Sequence, residues 1–269
     1  MSCVSNNSLV SNRASPLSGT IPIPGDKSIS HRALIFASLA IGTTKVRGLL
    51  EGDDVMCTKN ALVALGVSIH RDDGGIWHIV GVGLNGMISP AVPLDLGNSG
   101  TGVRLLMGVV AGQKITATFY GDASLSVRPM ARITDPLAKM GASITSRDGG
   151  LLPVTIRGTG DLMAACHCSE VASAQIKSAI LLAGLNARGT TIVSEPHASR
   201  DHSESMLRHF GVSVTQEFKD DQSHRVHLAD GASLRAADIV VPSDPSSAAF
   251  AIVAALITPG SDITLKGIS

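Results

Sequence analysis

The chain has 269 residues, enough for one large domain or two ordinary ones. Hydrophobic residues make up 44% of it and aromatic residues only 3%, so the core must be aliphatic and rich in alanine and glycine. Its 22 basic and 22 acidic residues cancel, which argues against a nucleic-acid partner held by a broad basic face. No apolar run approaches the roughly 20 residues of a membrane span, so no membrane partner is expected either.

The N-terminal segment and the cysteines predict a cytoplasmic protein. The first dozen residues are polar, rich in serine and asparagine, and lack the apolar stretch of a signal peptide. The four cysteines form no C-x-x-C pair and fit reduced thiols: Cys3, Cys57, Cys166 and Cys168. The run Cys166-His167-Cys168 resembles a metal site, but its ligands are tightly spaced and no second cluster accompanies them. We therefore predict no metal.

An internal repeat organises the chain. A helix of small apolar residues, a glycine and a threonine-containing strand recur four times, at intervals of 70, 77 and 71 residues between the marker glycines Gly42, Gly112, Gly189 and Gly260. After each of the first three copies, a second helix ends at a glycine stop before another strand: Gly66, Gly141 and Gly211. One unit is too short to bury its own faces, so we expect three units to pack their helices inward as one α/β core. The strand patterns leave parallel and antiparallel pairing open.

The repeat also predicts the domain boundaries. Residues 25–240 hold three complete units and form a substrate-binding domain. Residues 241–269 contain a hinge and the first helix and strand of a fourth unit, which we interpret as the truncated start of a second, similar domain. Residues 1–24 form a tail and a strand that we assign to that second domain. The helix from Ala248 to Ile257 is expected to lack its packing partners.

The segment Gly25–Arg32 opens the first repeated helix. A proline-bracketed extended run precedes it and an apolar run follows it, so Asp26, Lys27 and Ser28 should lie at a helix N-terminus, where free backbone N–H groups collect. Lys27 and Arg32 add charge to the positive end of the helix dipole. This combination indicates a site for phosphate or carboxylate. The alternative is an ordinary capped surface helix that carries two cations.

Small polar segments open the other three repeated helices as well: Gly97–Gly102, Ala172–Gln175 and Ser243–Ser247. Ordinary N-capping accounts for each of them alone. Cations accompany them, however: Arg104, Arg128, Lys177 and Arg200. In a chain without net charge, cations beside repeated helix starts indicate a site for a small molecule with several negative charges. Asp201-His202 is either an acid–base pair or an N-cap followed by a surface histidine.

Six segments match one family, in its own order, along nearly the whole chain. They are PGDKSISHRAL (24–34), LGNSGTGVRLLMG (96–108), GDASLSVRPM (121–130), ASAQIKSAILLAGLN (172–186), SRDHSE (199–204) and DPSSAAF (244–250). On these motifs the chain resembles the enolpyruvyl transferases, specifically the 5-enolpyruvylshikimate-3-phosphate (EPSP) synthases of the bacterial group often called class II.

The resemblance implies a fold and a reaction. The fold is an inside-out α/β domain of three β-α-β-α-β-β repeats around inward-facing helices, plus the start of a second similar domain. The reaction transfers the enolpyruvyl group of phosphoenolpyruvate to the 5-hydroxyl of shikimate 3-phosphate and releases phosphate, in aromatic amino acid biosynthesis. Neither a metal nor an organic cofactor takes part.

The resemblance also assigns residues by position. Shikimate 3-phosphate would be held by Lys27, Ser28, Arg32, Ser173, Ala174, Gln175 and Arg200. Phosphoenolpyruvate would be contacted by Lys27, Asn98, Gly100, Arg128 and Gln175, with Arg104 nearby. Lys27 would touch both substrates and assist proton transfer as the catalytic residue. Positioning and electrostatics would then carry much of the rate enhancement.

The chain departs from this family in its length. The family's acid and base residues, and the Arg and Lys residues of its second domain, have no counterpart here. We therefore expect the missing C-terminal domain to be a required partner, and the complete enzyme to be a monomer. Glyphosate, which occupies the phosphoenolpyruvate site in this family, should inhibit it, because Gly100 leaves room where a methyl group would crowd the inhibitor.

Two alternatives stay open. One is UDP-N-acetylglucosamine enolpyruvyl transferase, which shares the fold but uses a cysteine in a mobile loop that has no comparable counterpart here. The other is an inactive binding half that needs a separate C-terminal half. Titration with shikimate 3-phosphate, and assays with and without that half, separate the two.

Overall fold

The structure is a computed structural model that describes residue 12, residues 14–220 and residues 222–268. The predicted N-terminal tail up to residue 11, with Cys3, lies outside the described residues. The described residues form eight helices: α1 (Lys27–Leu39), α2 (Asp53–Ala64), α3 (Gly100–Ala111), α4 (Ala123–Ser126), α5 (Ala131–Lys139), α6 (Ala174–Gly184), α7 (His202–His209) and α8 (Pro245–Leu256). Within this part of the chain, none of the helices combines the length and the apolarity that crossing a membrane requires.

The described residues also form sixteen strands. They are β1 (Ser18–Ile21), β2 (Ile41–Arg47), β3 (Ser68–Arg71), β4 (Trp77–Val82), β5 (Leu94–Asp95), β6 (Thr116–Tyr120), β7 (Ser143–Arg147), β8 (Leu151–Arg157), β9 (Leu162–Met163), β10 (Cys166–Cys168), β11 (Ala187–Arg188), β12 (Thr191–Glu195), β13 (Val214–Phe218), β14 (His224–Leu228), β15 (Ile239–Val240) and β16 (Asp262–Leu265).

Three four-stranded sheets repeat one arrangement. Their strand orders are β15-β2-β4-β3, β5-β6-β8-β7 and β10-β12-β14-β13. In each sheet the first pair is parallel and the other two pairs are antiparallel. The predicted β-α-β-α-β-β unit is confirmed in the second and third repeats, and the mixed pairing explains why the apolar patterns left it open.

The first repeat takes its leading strand from the far end of the domain. Ile239 pairs with Val46, and Val240 pairs with Arg47, in parallel. The strand before α1 in sequence, β1, pairs instead with β16. The first unit is therefore completed by a segment about 200 residues away in sequence, a pairing that no local pattern indicates.

The contacts divide the chain into two compact units, one of which is Gly25–Val241. The other contains the described residues before and after that range. In this smaller unit β1 and β16 pair in parallel, and Asp244 caps α8 by accepting the N–H of Ser246 at 2.8 Å. The assignment of residues 1–24 and 241–269 to a second domain stays a prediction.

Helix α8 exposes apolar side chains, as predicted. Phe250 is 82% exposed and Leu256 is 79% exposed. The helix runs over Pro245–Leu256 instead of the predicted range from Ala248 to Ile257, because Pro245 is favourable in the first helical turn and extends the start.

Helices α1, α3 and α6 form the centre of the larger unit and are buried on nearly all sides. Most of their side chains are small or aliphatic, which lets the backbones approach closely. At the crossing of α3 and α6, a Cβ built on Gly108 would lie only 2.2 Å from the carbonyl oxygen of Ala179. The low aromatic content of the chain therefore follows from three helices packed against one another.

The outer helices end at the glycines that the repeat predicts. Gly66, Gly141 and Gly211 have φ values of 97°, 112° and 87°, a region that side-chain-bearing residues rarely adopt. After α2, the Val67 N–H donates to the carbonyl of Leu62 at 3.1 Å, which is the long bond of a Schellman motif. The same motif follows α5 and α7. Each glycine thus turns the chain from a helix into the next strand.

His31, a residue of α1, is fully buried. His31 Nδ1 lies 2.8 Å from the Thr58 hydroxyl, and Nε2 has no hydrogen-bond partner among the described residues. Burial lowers the pKa of His31 from 6.5 to about 4; Asp54 opposes the shift, while Arg32 and Lys27 add to it. His31 is therefore neutral at pH 7.

We expect Gly108→Ala to destabilise the chain. Helix propensity alone favours alanine by about 0.5–1 kcal/mol, but the overlap with the Ala179 carbonyl forces α3 and α6 apart and should cost about 1–3 kcal/mol. Urea unfolding measures the difference. The control is Gly74→Ala, at a turn where the nearest atom to a new Cβ is the Asp72 side chain at 3.3 Å. Equal stability of the two variants would contradict the close crossing.

We expect acid to destabilise the fold through His31. Its pKa is lower in the folded state, so its contribution is complete above pH 6.5 and is lost as the pH falls towards 4, by about 3 kcal/mol in total. His31→Asn keeps a partner for Thr58 without titrating, so it should flatten this part of the pH dependence. The exposed His197 gives the control His197→Asn, which should retain the slope of the parent.

Candidate functional site

The central helices α1, α3 and α6 begin within the polar segments that the sequence predicts. Asp26 accepts the N–H of Ile29 at 2.8 Å, Ser99 accepts that of Gly102 at 3.1 Å, and Ser173 caps α6 in the same way. Each side chain satisfies one N–H of a first turn and leaves others free. The site is built on these three helix starts.

Side-chain hydrogen bonds tie the three helix starts together. Gln175, in the first turn of α6, donates to the Thr101 hydroxyl on α3 at 3.0 Å and accepts from Arg104 at 3.1 Å. Arg32, on α1, donates to the Ser178 hydroxyl of α6 at 2.8 Å. The positive ends of three helix dipoles therefore lie at one end of the domain, which favours bound anions.

Three guanidinium groups face one another beside Gln175. Burial lowers the pKa of Arg104, and the nearby charges of Arg128 and Arg132 lower it further. Arg104, Arg132, Ser173 and Gln175 line a cavity of about 260 Å³. Unneutralised cations around a cavity make a site for an anion with several charges.

Arg132 is a site residue that the sequence analysis missed. It is exposed and has no hydrogen bond or ion pair to another described residue. The available signal was its position four residues after Arg128, in the first turn of α5, which places a second cation in the same segment.

Asn98 holds Arg128 in place. Its carbonyl oxygen accepts a short hydrogen bond from Arg128, and its amide donates to Asp122 at 2.9 Å. Asp122 also caps α4 by accepting the N–H of Leu125 at 2.7 Å. Asn98, predicted to line the phosphoenolpyruvate pocket, thus orients the neighbouring arginine.

Gly100 is the first residue of α3 and lies between two arginines. A Cβ at this position would lie 2.9 Å from Nη1 of Arg128 and 3.0 Å from Nη1 of Arg104. Both contacts are with the mobile ends of long side chains, so the fold can accept a methyl group there. The guanidinium positions would have to change.

Lys27 and Ser28 form the first turn of α1. Nζ of Lys27 lies 3.0 Å from the carboxylate of Asp54, and the lysine side chain is 52% exposed. The Ser28 carbonyl accepts from Arg32 at 3.0 Å. Ala174 begins α6 directly after its cap. Lys27 is thus open to solvent, with Asp54 as its one ionic partner among the described residues.

Two cations singled out by the sequence are buried. Arg32 is 2% exposed and donates to Ser203, Ser178 and the Ser28 carbonyl. Burial lowers the pKa of Arg32 to about 10, and Glu204 and Asp26 oppose that shift, so it stays charged at neutral pH. The exposed Arg200 lies close enough to lower this pKa.

The grouping of Lys177 with the anion-binding cations is wrong. Lys177 is fully buried and forms ion pairs with Glu195 and Glu204 at 3.0 and 2.8 Å. The sequence contained a sign that Lys177 is buried, because it is a single charge within an apolar helix. Glu195 lies at the end of a strand, on the same face as the buried Val193. Among the other predicted cations, Arg32 is also buried, and those that keep exposed surface are Lys27, Arg104, Arg128 and Arg200.

Cys166, His167 and Cys168 lie on β10 and do not form a metal site. Successive side chains of a strand point to opposite faces, so His167 is directed away from both cysteines. Within the described part of the chain, no three histidine, cysteine or acidic side chains are grouped as metal ligands. Asp201 occupies the N-cap position of α7 and His202 its first turn.

Known proteins resemble the chain in sequence and fold. It is 57% identical over 249 residues to a 3-phosphoshikimate 1-carboxyvinyltransferase of Granulibacter bethesdensis, a match that covers 92% of this chain and 55% of that protein. A 3-phosphoshikimate 1-carboxyvinyltransferase of Methylorubrum populi is 57% identical over 258 residues, a match that covers 95% of this chain and 57% of that protein. A solved EPSP synthase from Acinetobacter baumannii superposes with a TM-score of 0.86 and 46% identity, over 94% of this chain and 56% of the other.

The chain thus spans a little more than half the length of the relatives it matches. The superposition confirms the predicted fold class, the inside-out α/β domain of three repeats. A family model described as EPSP synthase (3-phosphoshikimate 1-carboxyvinyltransferase) matches residues 11–269. With this match over almost the entire chain, and with relatives of such high identity, the chain belongs to the EPSP synthase family.

Proposed function

We propose that the chain binds shikimate 3-phosphate and, in a protein that carries the rest of the family's length, transfers the enolpyruvyl group of phosphoenolpyruvate to its 5-hydroxyl. The observation that carries this proposal is the link through Gln175 between α3 and α6, beside a cavity lined by Arg104 and Arg132. The names of the relatives support the same reaction. Neither they nor the family model favours UDP-N-acetylglucosamine as the acceptor.

The proposed reaction needs two anionic substrates held together. The 5-hydroxyl oxygen attacks C2 of phosphoenolpyruvate and gives up its own proton while C3 takes up a proton. The tetrahedral intermediate then loses a proton from C3 and phosphate from C2, which restores the double bond between C2 and C3. Arg104, Arg128 and Arg132 would neutralise phosphate and carboxylate groups, and the free N–H groups of α3 and α6 would add to them. Lys27 would exchange Asp54 for a substrate anion and assist proton transfer.

Three further parts of the proposal concern the whole protein. The resemblance implies that the family's acid and base residues lie in its second domain, and the chain covers 55% of a relative's length, so we propose that this chain binds without turnover. The exposed apolar face of α8 supports an additional packing partner. The described cysteines Cys57, Cys166 and Cys168 are free, which supports a reducing, cytoplasmic location.

Titration of the chain with shikimate 3-phosphate tests the proposal. We expect saturable binding that shikimate without phosphate does not reproduce, and binding at least about tenfold weaker in Arg200→Gln, since a hydrogen bond to a charged group contributes roughly 1.5–3 kcal/mol. The matched control is Arg188→Gln. Arg188 is 74% exposed, pairs with Asp161 at 2.7 Å and lies beyond the opposite end of α6.

A parent chain that does not bind shikimate 3-phosphate would show the proposal to be wrong. A parent that binds but gains no turnover when a C-terminal polypeptide of the family is added would contradict the proposed transfer and leave a binding module without catalysis. Turnover by the chain alone would refute the requirement for that second part.

We expect glyphosate to inhibit the complemented enzyme, and Gly100→Ala to raise the inhibition constant by about tenfold or more. The reason is the added methyl group, which would lie 2.9–3.0 Å from Nη1 of both Arg128 and Arg104 and crowd the pocket. The inhibition constant is measured against phosphoenolpyruvate. Gly74→Ala, in an exposed turn, is the control. An unchanged constant in Gly100→Ala would remove this account of the pocket.

A further inference from the structure

A buried ion cluster lies beneath the proposed substrate site. Nζ of Lys177 is 3.0 Å from Oε2 of Glu195 and 2.8 Å from Oε1 of Glu204. All three side chains are at most 1% exposed. The contact with Glu204 is ionic without hydrogen-bond geometry. Lys177 therefore joins α6 to the end of β12 and to α7.

The cluster reaches two segments that the proposed function assigns to the substrate. Oε1 of Glu195 accepts the backbone N–H of Ser173 at 2.7 Å, at the start of α6. Both oxygens of Glu195 also accept from the Ser199 hydroxyl, at 2.9 and 2.8 Å. Nζ of Lys177 lies 3.5 Å from the Ser199 carbonyl. Ser199 directly precedes Arg200.

The charges of this cluster depend on one another. Burial raises the pKa of Glu195, but the charge of Lys177 and the bonds from Ser173 and Ser199 outweigh it, so the pKa lies below its ordinary value. His224 is buried beside them, with Nδ1 3.9 Å from Glu195, too far for a hydrogen bond. Burial and Lys177 lower the pKa of His224 against the two glutamates, which leaves it neutral. Loss of the ammonium would leave two buried carboxylates without their nearest cation.

Lys177 cannot itself bind a substrate. Its side chain has no exposed surface, and its ammonium lies within 3.5 Å of oxygens of Glu195, Glu204 and the Ser199 carbonyl. Any effect on ligand affinity must act through the residues that it holds.

We propose that Lys177 is a positioning residue for shikimate 3-phosphate: through Glu195 it fixes the Ser173 cap and the Ser199–Arg200 turn at the spacing that the substrate requires. This inference rests on the proposed function. It predicts that the substrate-binding end of α6 and the turn before α7 are set in place before the ligand arrives, which lowers the cost of ordering them on binding.

The test compares three variants of the chain in two measurements. The variants are Lys177→Met, which removes the ammonium at similar length; Ser199→Ala, which removes one link; and Glu204→Gln, the matched control. Glu204 belongs to the same cluster but has no contact with Ser173 or Ser199 among the hydrogen bonds of the described residues. The measurements are the dissociation constant of shikimate 3-phosphate and the exchange rate of the Ser173 amide hydrogen.

We expect Lys177→Met to bind shikimate 3-phosphate at least about tenfold more weakly and to exchange the Ser173 amide at least about tenfold faster, whereas Glu204→Gln should stay within about threefold of the parent in both. Ser199→Ala should weaken binding several-fold with little change in the melting temperature, and it carries the test if Lys177→Met does not fold. A folded Lys177→Met, or a Ser199→Ala, with parental affinity would overturn the inference.

The two proposals fail in different ways. If the parent chain does not bind shikimate 3-phosphate, the proposed function is wrong, and the Ser173 exchange rate alone decides whether Lys177 holds the cap. If the parent binds and the Lys177→Met and Ser199→Ala variants bind equally well, only the positioning role is wrong. A general loss of stability shared equally by Lys177→Met and Glu204→Gln, without loss of affinity, would also overturn it.

Discussion

The close approach of α3 and α6 is the constraint on which the rest of the larger unit depends. A Cβ at Gly108 would overlap the Ala179 carbonyl, so the two backbones touch without intervening side chains. This contact sets the distance between the first turns of both helices, where Gln175 can then reach Thr101 and Arg104 at the same time. A wider spacing would separate these groups. The small residues of the core and the geometry of the anion site thus have one cause.

The sequence predicted what local chemistry determines. The polar helix starts at 25–32, 97–102 and 172–175, and the glycine stops after α2, α5 and α7, depend on residues within a few positions and were confirmed. Local patterns could not identify the partner of β2, since β15 comes from the other end of the domain and is only two residues long. The burial of Lys177 depends on Glu195 and Glu204, which approach it only in the folded chain.

The cations of the domain fall into two groups with different physical roles. Lys177 and Arg32 are buried and are held by carboxylates or hydroxyl groups, so their charge joins helices and strands. Arg128, Arg132 and Lys27 retain exposed surface and face the helix starts. Residue type does not separate the two groups, since each contains lysine and arginine, and burial is a property of the tertiary structure. The sequence therefore predicts a set of cations but does not separate those that hold the fold together from those that stay open to solvent.

The origin of β15 bears on how the domain forms. The second and third sheets contain only strands from contiguous stretches of chain, so each can pair soon after its own residues are available. The first sheet cannot be completed until Ile239 and Val240 have been synthesised, long after their partners Val46 and Arg47. Until then one side of β2 presents unpaired backbone N–H and carbonyl groups. During synthesis the earliest repeat is consequently the last to be completed, and its open strand is the part of the nascent chain most in need of protection against wrong pairing.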